Sequence, residues 1–219
     1  MNKVVSVLSL LLDFLLPHRG ARKVIETIST ETFLANAAVS ETYLGENELA
    51  ALRYRDPLVR AAVWALKYQR SRRASTLLAE ALARELMEHL GDRALFESGT
   101  RYLLAPVPLS PVRLRERGFN QATLLAEALS ALHPELSLTL VPDILIRTRD
   151  TAHQTALKRR EERIANVQGC FAVPDPKRVR GKDIIVLDDV TTTGATMNEA
   201  RWVLTDAGAR SVITIAAAH

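Results

Sequence analysis

The spacing of hydrophobic and polar positions changes near residue 101 of this 219-residue chain. Before that point the apolar positions repeat with a helical period. Asp56-Pro57 makes a helix opening, with the Asp as N-cap and the Pro in the first turn. Leu58, Val59, Ala62, Val63 and Leu66 then fall on one face. A second helix is expected over 74–90, with Leu78, Leu82 and Leu86 in register and Gly91 as its C-cap. Residues 24–38 fit either a helix or a loose hairpin, and residues 1 to about 45 carry no clear fold signature. From residue 101 onward, short apolar runs alternate with amphipathic stretches, the pattern of a parallel sheet with helical crossovers. Strands are expected at 102–106, 144–148, 170–173, 183–187 and 211–217. The third is limited to a sheet edge by Pro174 and Pro176, and the last closes the sheet. Helices are expected at 119–132, with Leu125, Ala128, Leu129 and Leu132 inward, and at 157–166. A further helix begins near residue 196, where Met197, Ala200, Val203, Leu204 and Ala207 share one face.

The strand at 183–187 carries the chemistry. Its aliphatic residues Ile184, Ile185, Val186 and Leu187 suit burial on both faces. It runs into two adjacent carboxylates, Asp188 and Asp189, and then into a hydroxyl- and glycine-rich turn before the helix. Carboxylates can accept hydrogen bonds from vicinal ribose hydroxyls, and loop amides and Thr hydroxyls can wrap a phosphate at the positive end of a helix. The alternative is a buried strand, an acidic turn and a Thr N-cap, but two neighbouring carboxylates repel each other when no ligand relieves them. The stretch resembles the phosphoribosyl pyrophosphate (PRPP) signature of type I phosphoribosyltransferases. That resemblance implies that Asp188 and Asp189 hold the ribose 2′- and 3′-hydroxyls and act in catalysis. It also implies that Thr192, Thr193, Gly194, Ala195 and Thr196 cradle the 5′-phosphate. Thr191, in the same loop, stands where many relatives have an aliphatic residue.

Two other segments could face the same crevice, because ligands of parallel sheets bind at the carboxyl ends of the strands. Val107, Pro108 and Leu109 leave the strand at 102–106, and Arg113, Arg115 and Arg117 follow. Guanidinium groups there could pair with a pyrophosphate, or merely form a solvated basic loop. Residues 147–154, continuing to Arg163 and Asn166, mix Arg, Thr, His and Gln with few apolar residues. They read as a lid carrying Arg147, Arg149, Gln154 and Arg163, or as a plain surface connection.

Pro106-Val107-Pro108-Leu109, Arg117-Gly118-Phe119-Asn120-Gln121, Arg147 with Gln154 and Leu157, Arg163 with Asn166, and the Asp188 motif occur in the order seen in ComF-type proteins. Lys67-Tyr68 is similar to the Lys-Tyr found before that family's catalytic domain. The resemblance covers about 58–219. It implies a type I phosphoribosyltransferase-like parallel sheet flanked by helices, and a mainly helical N-terminal region is expected ahead of it. It also implies a PRPP site and a role in natural competence, the uptake of external DNA. The expected division is an N-terminal region, 1–55, and a phosphoribosyltransferase-like domain, 56–219, with a helical lead-in at 56–91 and an α/β core at 101–219. Many ComF proteins carry an N-terminal zinc module built on paired cysteines. Here Leu10 to Pro17 is followed by His18-Arg19-Gly20 with no cysteine, so no zinc is expected.

Composition narrows the remaining classes. A hydrophobic fraction of 47% with 25% charged residues fits a globular chain and excludes a disordered one. Cys170 is the single cysteine, which excludes an intramolecular disulfide and a Cys-cluster zinc site and is compatible with a cytoplasmic protein. Val4 to Leu16 is apolar but too short to span a bilayer. Asp13 within it and a poor cleavage site favour a docked helix over a signal peptide. The net charge of +4 suits an anionic ligand. Cys170 reads as a buried thiol, and Trp64 and Trp202 as packing residues. His18, His89, His133 and His219 lack metal-ligand spacing.

Three functions remain open at this level. The first is pentosyl transfer from PRPP, with Mg²⁺ arriving on the pyrophosphate and no direct protein ligand. The second is a non-catalytic accessory protein binding single-stranded DNA or competence-machinery proteins. Its basic residues would be Arg70, Arg72 and Arg73; Lys158, Arg159 and Arg160; and Lys177, Arg178, Arg180 and Lys182. The third is a PRPP-sensing regulator. The acceptor is not legible.

Overall fold

The computed structural model describes residues 19–40, 45, 47–91, 101–149 and 166–219. Two short helices, α1 (Arg19–Thr27) and α2 (Thr30–Asn36), lead to strand β1 (Glu48–Leu52). Helices α3 (Pro57–Gln69) and α4 (Arg72–Leu90) follow, then β2 (Tyr102–Pro106), α5 (Pro111–Arg117), α6 (Gln121–Leu132) and β3 (Leu138–Leu140). The chain continues through β4 (Ile146–Arg147), β5 (Phe171–Ala172), β6 (Asp183–Val190), α7 (Ala195–Asp206) and β7 (Ser211–Ala218). Helices fill most of the described residues up to Leu90, as expected. Residues 24–38 resolve into helix rather than hairpin. The apolar segment at 4–16 and most of the 157–166 helix lie outside the described residues.

Five strands form one parallel sheet in the order β1-β7-β6-β2-β3. Alternation along the central strand explains why it reads as an unbroken apolar run. Ile185 and Leu187 join a core with α4 and α6, whereas Ile184 and Val186 join a second core with Met197, Ala200 and Leu204 of α7. Each face of β6 is therefore covered, as a parallel strand requires.

Several expectations are corrected. The segments at 144–148 and 170–173 do not enter the sheet; they pair as the two-residue antiparallel ribbon β4-β5. β7 does not close the sheet, because β1 pairs outside it through Glu48–Thr214 and Ala50–Ala216. The sheet thus draws one strand from the segment before residue 55. The opposite edge is β3, which has too few residues for a periodic signal. Leu132 (41% exposed) and Trp202 (63% exposed) are not packed. α6 starts at Gln121, capped by the Asn120 side chain, so Phe119 stays in the preceding loop.

Local signals hold well in the lead-in. Asp56 Oδ1 accepts from the Leu58 and Val59 amides at 2.7 and 3.0 Å, while its Oδ2 takes the Ala38 amide at 3.3 Å. One cap therefore starts α3 and also ties down the chain after α2. Gly91 ends α4 as expected, its N–H donating to the Met87 carbonyl. Among the described residues no helix is long and apolar enough to cross a membrane.

Candidate functional site

β2 and β6 lie side by side in parallel, with Pro106 opposite Leu187, so the loops leaving their carboxyl ends are neighbours. The Val107 amide donates to the Leu187 carbonyl at 2.8 Å, extending the ladder by one bond into the loop. A cavity of about 620 Å³ opens between these loops and the end of α3. Of the anticipated residues, Asp188, Asp189, Thr192, Thr196, Val107, Pro108, Leu109, Arg113, Arg117 and Arg147 line it. Tyr54, Lys67, Tyr68, Glu116, Phe119, Gln121 and Val190 complete the wall.

Some anticipated residues do not line this cavity. Thr191 is buried, with its amide on the Ala218 carbonyl at 2.9 Å, and it borders a second cavity of about 770 Å³ with Arg53, Arg55 and His219. Gly194 and Ala195 lie behind the loop as its turn and first helical residue. Thr193 is half-buried, and its Oγ1 has no hydrogen-bond partner among the described residues. Arg149 donates to the Gln168 carbonyl instead of reaching inward. Gln154 and Arg163 lie outside the described residues.

The turn at Gly194 explains its residue type. Its φ of 73° lies in the left-handed region, and a Cβ there would sit 3.2 Å from Asn198 Nδ2 and 3.3 Å from Glu48 Oε2. The chain can therefore turn sharply into α7, whose first turn follows the loop directly. On the other side, Ser110 caps α5, and Gly118 ends it with φ 76°. Asn120 Nδ2 donates to the Val107 carbonyl at 3.0 Å while Asn120 Oδ1 caps α6, so one side chain anchors the 107–109 loop to a helix start.

The acidic pair is asymmetric. Asp188 Oδ1 accepts the Asp189 amide at 2.8 Å, and Asp189 Oδ1 accepts the Val190 amide at 2.9 Å. Asp189 Oδ2 is then 2.8 Å from Lys67 Nζ, with the two side chains 5% and 23% exposed. Burial, followed by the neighbouring Asp189 charge, pushes the Asp188 carboxyl well above the usual carboxylate range. Burial alone would lower Lys67, but the Asp189 carboxylate outweighs it and holds the ammonium above its ordinary value. The resting arrangement is a close Lys67–Asp189 ion pair with the buried Asp188 carboxyl beside it.

Basic side chains are held by rings around the same mouth. The Arg117 guanidinium lies 5.6 Å from the Tyr68 ring centre and donates to Gln121. Arg70 lies 5.7 Å from the Phe119 ring and Arg147 5.2 Å from that of Phe171. Lys67 was legible only as half of a dipeptide motif. A cation in the last turn of an amphipathic helix is ordinary, and nothing in the spacing reveals which carboxylate it meets. Cys170 is fully buried, and burial raises its thiol, consistent with a packing role.

Fold and site together define a domain of the type I phosphoribosyltransferase class. The family model described as phosphoribosyl transferase domain matches residues 72–219, and the chain belongs to that family, in its ComF-type group. It is similar to the competence protein ComFC of Bacillus subtilis, with 37% identity over 109 residues, covering 49% of this chain and 40% of that protein. The DNA utilization protein YhgH of Escherichia coli matches at 38% over 107 residues, covering 48% and 44%. The competence protein F of Haemophilus influenzae matches at 32% over 110 residues, covering 50% and 46%. The matched stretches thus span less than half the length of these relatives. Among solved structures, a hypoxanthine phosphoribosyltransferase from Trypanosoma cruzi aligns over 66% of this chain and 63% of that one. Its 11% identity and TM-score of 0.39 carry no argument about chemistry.

Proposed function

We propose that this chain binds PRPP with Mg²⁺ and transfers its phosphoribosyl group, serving the handling of DNA taken up in natural competence. One observation carries the reading: Asp188 and Asp189 line one cavity together with Thr192, Thr196, Arg113 and Arg117. In PRPP the ribose carries a phosphate on C5 and a pyrophosphate on C1, so carboxylates, hydroxyls and guanidinium groups in one cavity match its three parts. The names of the relatives support the cellular role, since they are competence and DNA utilization proteins.

In this reading Asp188 accepts ribose hydroxyl hydrogen bonds. The loop amides and Thr hydroxyls neutralise the 5′-phosphate. Arg113 and Arg117 face the departing pyrophosphate, and the carboxylates favour positive charge developing at C1. Among the described residues no cluster of three or more His, Cys, Asp or Glu suits a metal. Asp188 and Asp189 offer few oxygens, and Asp189 is already paired. The donor set therefore fits an ion held mainly by the ligand's phosphates and water. When bound, Mg²⁺ supplies charge neutralisation on the leaving pyrophosphate.

Calorimetry with PRPP and Mg²⁺ tests this. The double variant Asp188→Asn/Asp189→Asn should bind at least about 100-fold more weakly, a loss of about 2.7 kcal/mol. Equal affinity in the two proteins ends the ligand assignment, and pyrophosphate release separates transferase from sensor.

A second reading, as a single-stranded DNA-binding accessory protein, draws on the paired arginines and rings at the mouth, where Tyr68 is 64% exposed. Alternating rings and cations can stack and neutralise unpaired nucleotides. Such binding should weaken steeply between low and moderate salt. No binding at low salt rejects it.

A further inference from the structure

We infer that the last turn of α3, through the adjacent residues Lys67 and Tyr68, is the positioning element that joins the ribose half of the site to its pyrophosphate half. The inference rests on the phosphoribosyl reading above and extends it to residues ahead of the matched family domain, which begins at residue 72.

The geometry is unusual for two consecutive residues. Lys67 reaches one wall of the cavity, where its ammonium meets Asp189 Oδ2 at 2.8 Å. Tyr68 reaches another, where its ring lies under the Arg117 guanidinium at 5.6 Å. Trp64, one turn earlier, sets its ring 5.5 Å from that of Tyr68. The helix delivering both is rigidly placed. Val59, Ala62, Val63 and Leu66 are fully buried, and Asp56 caps its start. Its end is fixed by Arg70, a non-glycine residue in the left-handed region at φ 52°.

Each contact does separate work. Lys67 places a cation against Asp189 where it is buried beside Asp188, so the pair can offer acceptors to ribose hydroxyls without two unrelieved negative charges. Tyr68 limits the freedom of Arg117, whose guanidinium then faces the cavity already oriented. A shift of α3 would disturb both subsites together, so whatever moves this helix would tune the whole site.

The test uses the intact chain and calorimetry with two part-ligands, ribose 5-phosphate and Mg²⁺-pyrophosphate, after melting curves confirm folding. Lys67→Met should weaken ribose 5-phosphate roughly tenfold with pyrophosphate changed less than about twofold. Lys67→Arg should recover most of the loss. Tyr68→Leu should weaken pyrophosphate by about three- to fivefold and leave ribose 5-phosphate unchanged, with Tyr68→Phe restoring it. If Lys67→Met does not fold, Lys67→Gln, which still donates to Asp189, should show the same selective loss at smaller size. Equal losses for both part-ligands, or folded variants binding as wild type does, overturn the inference while leaving the PRPP reading intact. If the wild-type chain binds neither part-ligand nor PRPP, the PRPP reading falls and the inference falls with it.

Discussion

Strand β6 carries aspartates at both ends and treats them in opposite ways. At its start, Asp183 is saturated: Arg210 donates through two nitrogens and Ser211 through its hydroxyl. Those hydrogen bonds, Arg210 first, hold its carboxyl below the usual range. At its end, Asp188 accepts the next residue's amide and is pushed the other way by burial and by Asp189. The same residue type, on the same strand, is a structural staple in one place and a strained acceptor in the other. A carboxylate satisfied by its neighbours serves the fold, whereas one buried and raised at the mouth of a cavity is a candidate for a ligand.

The sharpest way to break the contrast is to remove Asp189. Asp189→Ala leaves Lys67 partly buried without its partner. It should lower stability by about 3 kcal/mol, read from urea unfolding, and weaken PRPP binding in the same protein. A loss under about 0.5 kcal/mol would show that the pair is solvated and not part of the site's design.

Asp183→Ala should come next, costing about 2 kcal/mol through its lost charged hydrogen bonds while leaving PRPP affinity untouched. Any change in affinity would mean that the two ends of the strand are not independent. Gly194→Ala should cost about 1–2 kcal/mol, from its left-handed φ and the close approach to Asn198 and Glu48. Unlike Asp183→Ala, it should also weaken phosphate binding, because it moves the loop.

Asp188→Asn reverses the sign. Its folded carboxyl titrates above the unfolded one, so the folded state holds more protons in the window between them, and stability falls as pH rises through it. Removing the charge should therefore raise the melting temperature at neutral pH by about 2–4 °C while weakening PRPP. The gain should vanish below about pH 4, where the unfolded carboxyl is also protonated. Asp183 behaves conversely. Its contribution is present above the unfolded carboxyl pKa and is lost as pH falls through its depressed folded value. A melting series in acid on wild type and Asp183→Asn should show the two curves converging at the acid end, the smallest of these effects.

Much of this was legible because the signals are local. Asp56-Pro57, Gly91 and the aliphatic run before Asp188 each act within a few residues, and each appears where the spacing puts it. The edge strands were not legible. β1 and β3 have five and three residues, and β1 buries its last three in succession, so neither shows a clean two-residue alternation. The 144–148 and 170–173 segments were apolar enough for strands, but apolarity does not say which sheet a strand joins. Trp202 sits on a helical stripe yet faces solvent, since a stripe wider than its neighbour leaves its margin uncovered.

What the sequence by itself determined is the chemistry of one loop. Two carboxylates at the end of a strand, then three hydroxyls and a glycine, come in an order that short-range geometry nearly dictates, because neighbours in the chain must be neighbours in space. What only the tertiary structure decided is the state of those groups. Lys67 is separated from Asp189 by more than half the chain. Its choice of partner follows from packing α3 against the sheet end, a long-range contact with no trace in local spacing. That contact pairs Asp189 with a cation and sets the surroundings of the buried Asp188 beside it.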